Sequence, residues 1–259
     1  MARNKSRKPL GHTIWFKVIL TVLVFLPAIT QFPYDPANTP DVIASVLAHP
    51  LVASIPSLLP IAKLILLLAV LIPIISDKFS RRVFLGYYCI ILIIIGIFQN
   101  MAVTGDYGFV WLLGNTCVQF AVLLYCLYDL LCNITIISRE NVNKKRLWVT
   151  VLMLLAFLMP YKTDMFGIVR PSFTASVLWN ESGVTYCMIT PVIIGIMLIF
   201  SKGIHKPAMS VVSYVGLLFG LLNMMTWFGM QSENWWMGIL HLPLLILSFY
   251  GLIVSKKEK

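Results

Sequence analysis

The sequence predicts an all-α, polytopic membrane protein with about eight transmembrane helices, and three observations carry that prediction. Of the 259 residues, 59% are hydrophobic and only 12% charged, where globular domains run near half and a quarter. Apolar runs of about twenty residues recur from end to end, the length that crosses a hydrocarbon core of about 30 Å at 1.5 Å rise per residue. The cations cluster in alternate gaps between those runs: Arg3, Lys5, Arg7 and Lys8; Lys78, Arg81 and Arg82; Arg139, Lys144, Lys145 and Arg146; Lys202 and Lys206; Lys256, Lys257 and Lys259. A net charge of +10 arranged in this way marks one membrane face and gives no footprint for nucleic acid.

In order, the predicted spans cover 13–30, 55–76, 83–103, 109–132, 147–161, 185–200, 209–230 and 236–255. They divide the chain into a basic N-terminal segment 1–12, a first four-helix unit 13–138, a basic linker 139–146, a second unit 147–255 and a basic tail 256–259. The first span has the basic flank of a secretion signal, but no A-x-A site follows it, so it is read as a retained helix. Between spans one and two, Thr39-Pro40-Asp41 has the cap, proline and acid of a helix start. Val42, Ile43, Val46 and Leu47 follow at helical spacing, which predicts a short amphipathic helix at the outer interface. Its counterpart between spans five and six is expected from Pro171 to about Trp179. Spans five and six are short, and are expected to extend into their flanks or to sit in thinned bilayer.

Orientation follows from the same charges, because Lys and Arg near span ends stay cytoplasmic. Seventeen basic residues, Lys17 among them, lie on one side, while Lys162 and Arg170 share the opposite loops with Asp35, Asp41, Asp106, Asp164, Glu181 and Glu233. An even number of spans then puts both termini in the cytoplasm, with the plasma membrane the expected location. Trp15 and Trp148 mark the inner interface, and Trp111, Trp179, Trp227, Trp235 and Trp236 the outer one.

The two units resemble one another. At an offset of 131 residues Ala44-Ser45-Val46-Leu47 falls on Ala175-Ser176-Val177-Leu178 and Pro60 on Pro191. Phe25-Leu26-Pro27 answers Phe157-Leu158-Met159-Pro160, Asn100-Met101 answers Asn223-Met224, and Trp111 with Gly114 answers Trp235 with Gly238. Four spans is an even number, so the expected relation is a parallel repeat about an axis along the membrane normal.

Polar side chains in hydrocarbon are costly unless paired, so they mark bundle interiors or aqueous cavities. Lys63, Gln99, Asn100, Asn115, Gln119, Asn223 and His241 all fall near the outer ends of their spans, which predicts an outward-facing polar cavity with these seven as ligand-binding residues. Snorkelling competes as the reading of Lys63 and of Lys17, and plain interhelical bonding as that of the two asparagines. Asp129 is expected to tether Arg139 or Lys145 at the inner face. Pro27, Pro60, Pro73, Pro160, Pro191 and Pro243 kink helices or free carbonyls that can line a site.

No metal site is expected, since His241 has no His or Cys at ligand spacing and Cys89, Cys117, Cys126, Cys132 and Cys187 form no C-x-x-C pair. They read as small buried hydrophobes. No nucleotide-binding or zinc-protease motif occurs, and no catalytic residues or cofactor can be assigned. Asn180-Glu181-Ser182 has the form of a glycosylation sequon. The expected function is transport of a small molecule or ion, alone or as the membrane component of a transport system. A non-catalytic sensor or accessory subunit with a protein partner, and an outer-leaflet enzyme acting on lipid or quinone, are the alternatives. The lipid bilayer is the one partner every reading shares.

Overall fold

Proline and glycine decide where the apolar runs stop being helix. The computed structural model describes residues 9–77, 79–163, 169–178 and 180–257. Arg3, Lys5, Arg7, Lys8, Lys78, Asp164, Trp179 and Lys259 lie outside the described residues. Helix α1 (Ile14–Val24) ends three residues before Pro27, and the predicted continuation to Thr30 is instead a strand, β1 (Ile29–Thr30). A ring at Pro27 restricts the residue before it and cannot donate to a helical carbonyl, which hydropathy does not register. Then come α2 (Thr39–Ala48), α3 (Leu59–Ile75), α4 (Ser80–Ile94), β2 (Met101–Thr104), β3 (Gly108–Trp111), α5 (Leu113–Cys132) and α6 (Val149–Leu158). Strands β4 (Tyr161–Thr163) and β5 (Val169–Pro171) precede α7 (Tyr186–Ile199), α8 (Lys206–Met225) and α9 (Trp235–Lys257).

Five helical stretches are long and apolar enough to cross a membrane: Pro56–Ile75, Ser80–Gln99, Leu113–Cys132, Lys206–Met230 and Ser232–Lys257. The other three apolar helices are shorter, α1 with 11 residues, α6 with 10 and α7 with 14. Helix α6 stops where Met159 turns left-handed, at φ 43°, before Pro160. Its predicted end at Tyr161 is the first residue of β4.

The end of the bundle opposite the basic loops carries the strands. β3 pairs antiparallel with both β2 and β1, so the hairpin after α4 is stitched to the segment after α1. Its turn uses Gly108 at φ 64°, a conformation costly for any other residue. The start predicted for span four at Phe109 is therefore strand, and helix begins at Leu113. α2 forms as its cap and acid predict, with Asn38 rather than Thr39 at the cap, and buries Val42 and Val46 against Ala102 and Val110. Its expected counterpart does not form a helix of that length: Pro171 closes β5, and only a 3₁₀ turn, Ala175–Leu178, follows.

At the basic end the loops interlock. Ile136 N donates to Gly203 O (2.8 Å), Asn143 N to Ile199 O (2.7 Å) and Ser80 Oγ to Ile137 O (2.8 Å). The loops after α3, α5 and α7 thus lie together on one side.

Helix α7 is the central post, with thirteen of its fourteen residues buried, whereas α3 exposes Ile61, Leu64, Leu68, Leu71 and Ile75. Close helix approach depends on small residues. A Cβ at Gly114 of α5 would lie 2.5 Å from the Leu23 carbonyl oxygen and 2.8 Å from that of Val24 at the end of α1. Backbone cannot yield as a side-chain tip does, so Gly114→Ala is expected to part α1 from α5 at a cost of about 1–3 kcal/mol. A fall in the thermal midpoint of the purified protein checks this, and an unchanged midpoint contradicts it.

Candidate functional site

Four of the seven predicted polar residues come together as a belt across the bundle. At the end of α4 the ladder widens into a π turn, Ile95–Gln99, a form of backbone that recurs at functional sites. That turn delivers Gln99 and Asn100 to opposite neighbours. Asn100 Nδ2 donates to Gln119 Oε1 on α5 (3.0 Å) and to Gly96 O (3.0 Å). Gln99 Oε1 accepts from the backbone N of Tyr186 at the start of α7 (2.9 Å). The next residue, Cys187, accepts through Sγ from Asn223 Nδ2 on α8 (3.2 Å). Asn223 Nδ2 also donates back to Phe219 O (2.8 Å), as Asn100 does to its own i−4 carbonyl. The belt therefore runs Gln119, Asn100, Gln99, Tyr186, Cys187, Asn223, across α5, α4, α7 and α8.

Asn100 is 1% exposed, and its Oδ1 is buried with no donor among the described residues. Flipping the amide does not help, because the oxygen would then face Gly96 O and Gln119 Oε1, both acceptors. An orphaned acceptor of this kind costs about 1–3 kcal/mol and calls for an explanation. Asn100 and Asn223 do not bond one another: each serves a different helix pair.

Sequence reasoning missed the belt's tyrosines and threonines. Tyr88 OH lies 3.4 Å from Thr190 Oγ1, and the Tyr186 ring meets Phe219 edge-on with centroids 5.1 Å apart. Thr116 Oγ1 donates to Gly96 O (2.8 Å) and accepts from Trp111 Nε1 (2.9 Å). The available signal was Tyr186 and Thr190 at i, i+4 within one apolar run.

The remaining three stand apart from the belt. Lys63 is 3% exposed, and its ammonium is held by oxygens of the protein. Its Nζ donates to Leu158 O (3.2 Å), to Asn180 Oδ1 (2.8 Å) and to Val177 O, and lies 5.4 Å from the centre of the Phe157 ring. Leu158 O belongs to the last turn of α6 and Val177 O to the 3₁₀ turn 175–178, so the ammonium sits on the negative ends of two helical dipoles. Asn180 is tied into the same cage, its amide donating to Leu158 O (3.1 Å) and Met159 O (2.6 Å). His241 Nδ1 bonds Met237 O (2.8 Å), and its ring lies 5.9 Å from Trp227. Asn115 borders a void of about 20 Å³ at the end of α1, room for a single water molecule.

Asp129, expected to tether Arg139 or Lys145, pairs with neither. The chain turns back through left-handed Asn133, and Asp129 accepts from Thr135 N (2.8 Å) and Thr135 Oγ1 (2.5 Å). Arg139 Nη2 donates instead to Ile75 O (2.7 Å), and its backbone N to Asp77 Oδ1 (3.2 Å). Lys17 lies 5.3 Å from the Tyr214 ring centre. Among the described residues no three His, Cys, Asp or Glu side chains gather as metal ligands.

An open cleft of about 580 Å³ on the strand-bearing face completes the geometry, lined by Ser45, His49, Thr104, Asp106 and Gln231. Val103–Asp106 continues the chain beyond the first π turn, and Gln231 directly follows a second, Thr226–Met230 at the end of α8. No family model, curated protein or solved structure matches this chain.

Proposed function

We propose that the chain crosses the membrane eight times with both termini cytoplasmic, and that it moves a small polar molecule or ion through the belt. The observation that carries this is the orphaned Asn100 Oδ1, an acceptor held in the bundle interior beside a π turn, where a passing donor is its natural partner. Three passes are short, which fits locally thinned bilayer and irregular backbone buried in protein, the two ways such segments are tolerated. A parallel duplication is supported by α4 and α8, each ending in a five-residue π turn before the next long helix. On that reading α3 and α7 are counterparts that differ in packing, α7 buried and α3 exposed.

Interhelical hydrogen bonds in membranes average about 0.6 kcal/mol, so an Asn100→Ala plus Asn223→Ala variant should still fold. Proteoliposomes carrying the native chain are expected to take up one member of a panel of small organic and inorganic ions, and those carrying the variant to fall to background. Absence of uptake by the native chain across the panel, or full uptake by the variant, overturns the reading.

A second reading, a membrane subunit that docks a partner, is favoured by the cleft, which opens on the strand-bearing face beside α2 and the β2–β3 turn. Stoichiometric co-purification of one protein, lost on Asp106→Ala but not on Asn100→Ala, separates it from transport.

A further inference from the structure

The cations of the basic end divide into two sets. Arg139 and Arg146 are bonded to the protein: Arg139, at the surface, to Ile75 O, and Arg146 to Leu198 O and Ser201 Oγ with its guanidinium 5.8 Å from the Tyr250 ring centre. Lys144 and Lys145 are exposed, and among the described residues neither meets a carboxylate. They occupy a 3₁₀ turn, Lys144–Arg146, pinned by Asn143, whose N donates to Ile199 O (2.7 Å) and whose Oδ1 accepts from Lys145 N (3.2 Å).

In a 3₁₀ turn residues i and i+3 eclipse, and Leu147 N donates to Lys144 O (3.3 Å), so Lys144 lies on the Leu147 side of the chain with Lys145 beside it. Leu147 is 49% exposed, Val151 71% and Leu154 55%, a single apolar stripe down α6 from the two ammonium groups. Trp148 is braced against Tyr250 at 5.5 Å between ring centres. Two cations therefore crown an apolar track at a membrane-facing edge, on the shortest of the apolar helices.

We propose that this edge is a binding site for an anionic glycerophospholipid, its phosphate held by Lys144 and Lys145 and an acyl chain lying along Leu147, Val151 and Leu154. Lysine binds phosphate as a mobile point charge, and each lysine near an anionic headgroup contributes independently. The stripe supplies what free phosphate cannot use, namely burial of chain methylenes. The site stands whether or not the belt transports anything.

The test measures lipid-dependent shifts in the thermal midpoint of the detergent-purified full chain, titrated with phosphatidylglycerol, phosphatidylcholine or inorganic phosphate. Phosphatidylglycerol is expected to raise the midpoint, and the other two are not. Lys144→Gln plus Lys145→Gln should weaken the phosphatidylglycerol response about 30-fold, the product of two lysine contributions. Lys202→Gln plus Lys257→Gln removes the same charge from other exposed positions and should leave the response intact. Equal responses to both lipids, equal losses in both variants, or a full response to inorganic phosphate each overturn the proposal. Should the first variant fail to purify, Lys144→Gln alone carries the test, with an expected weakening of about 5-fold and no weakening overturning the proposal.

Discussion

Lys63→Met is expected to lower the thermal midpoint more than any single substitution in the belt. The ammonium bonds three oxygens, from Leu158, Val177 and Asn180, and hydrogen bonds to a charged group contribute about 1.5–3 kcal/mol each. Methionine keeps the stem but supplies no donor, so Val177 O loses its partner while Leu158 O retains Asn180 Nδ2. A net cost of about 3 kcal/mol or more follows, along with release of Val177 and of residues 180–183 from α3. A second route reaches the same contact from the other side. A Cβ at Gly183 would lie 2.7 Å from Lys63 N, so Gly183→Ala should loosen the same segment without touching the charge. Limited proteolysis at 177–183 and the thermal midpoint read both variants. A Lys63→Met protein with native midpoint and native protection shows that the cage holds nothing; should it fail to fold, the milder Asn180→Ala carries the test.

The surroundings of Lys63 show what the sequence can tell. Its depth in an apolar run was visible, and so was the choice between snorkelling and a ligand. The third answer, a lysine capping two helical ends, depends on acceptors 95, 114 and 117 residues away. Nothing local announces them. The belt is more legible because cost is local: an amide in hydrocarbon is conspicuous wherever its partner lies, and Gln99, Asn100, Gln119 and Asn223 all stand out on that ground.

Helix existence and helix ends divide in the same way. Apolar length locates every hydrophobic helix, because the driving term is composition. Pro27 and Met159-Pro160 then end α1 and α6 early, and β1 takes up the residues so released by pairing with β3, some eighty positions on. The turn Thr104–Gly108 fell in the gap left between predicted spans three and four, but its flanks looked like span because strand and helix share the same apolar residues there. The segment 171–178 misled for the opposite reason. Its Ala-Ser-Val-Leu matches that of α2, yet Pro171 is committed to β5 and the four residues make a single 3₁₀ turn.

Asp129→Ala is the second substitution with a large expected effect, and it carries a pH signature. Asp129 is fully buried at the end of α5 and receives both donors of Thr135, whose Oγ1 in turn accepts from His205 N (3.0 Å). Alanine strands those donors in the interlocked loops at the basic end, at about 3 kcal/mol. His205 Nδ1 lies 3.9 Å from Asp129 Oδ2, and the imidazole is held below its ordinary value by burial first, with Asp129 pulling it upward. His12 is lowered as well, by burial and then by Lys17, His205 and Lys256.

A histidine lowered in the folded state binds fewer protons there than in the unfolded chain between its folded value and about 6.5. Stability is thus complete above that window and falls as pH drops through it, levelling off below the folded value. Asp129→Asn removes the upward pull and leaves an amide of similar shape, so His205 drops further and the loss on acidification grows. His205→Gln has no imidazole to protonate and should lose less than the native chain, with His12 supplying the remainder. Thermal midpoints of the three proteins between pH 8 and 4.5 order them: His205→Gln flattest, the native chain next, Asp129→Asn steepest. Parallel curves mean that the imidazole and the carboxylate do not sense one another, and that Asp129 serves only to tie Thr135 to the end of α5.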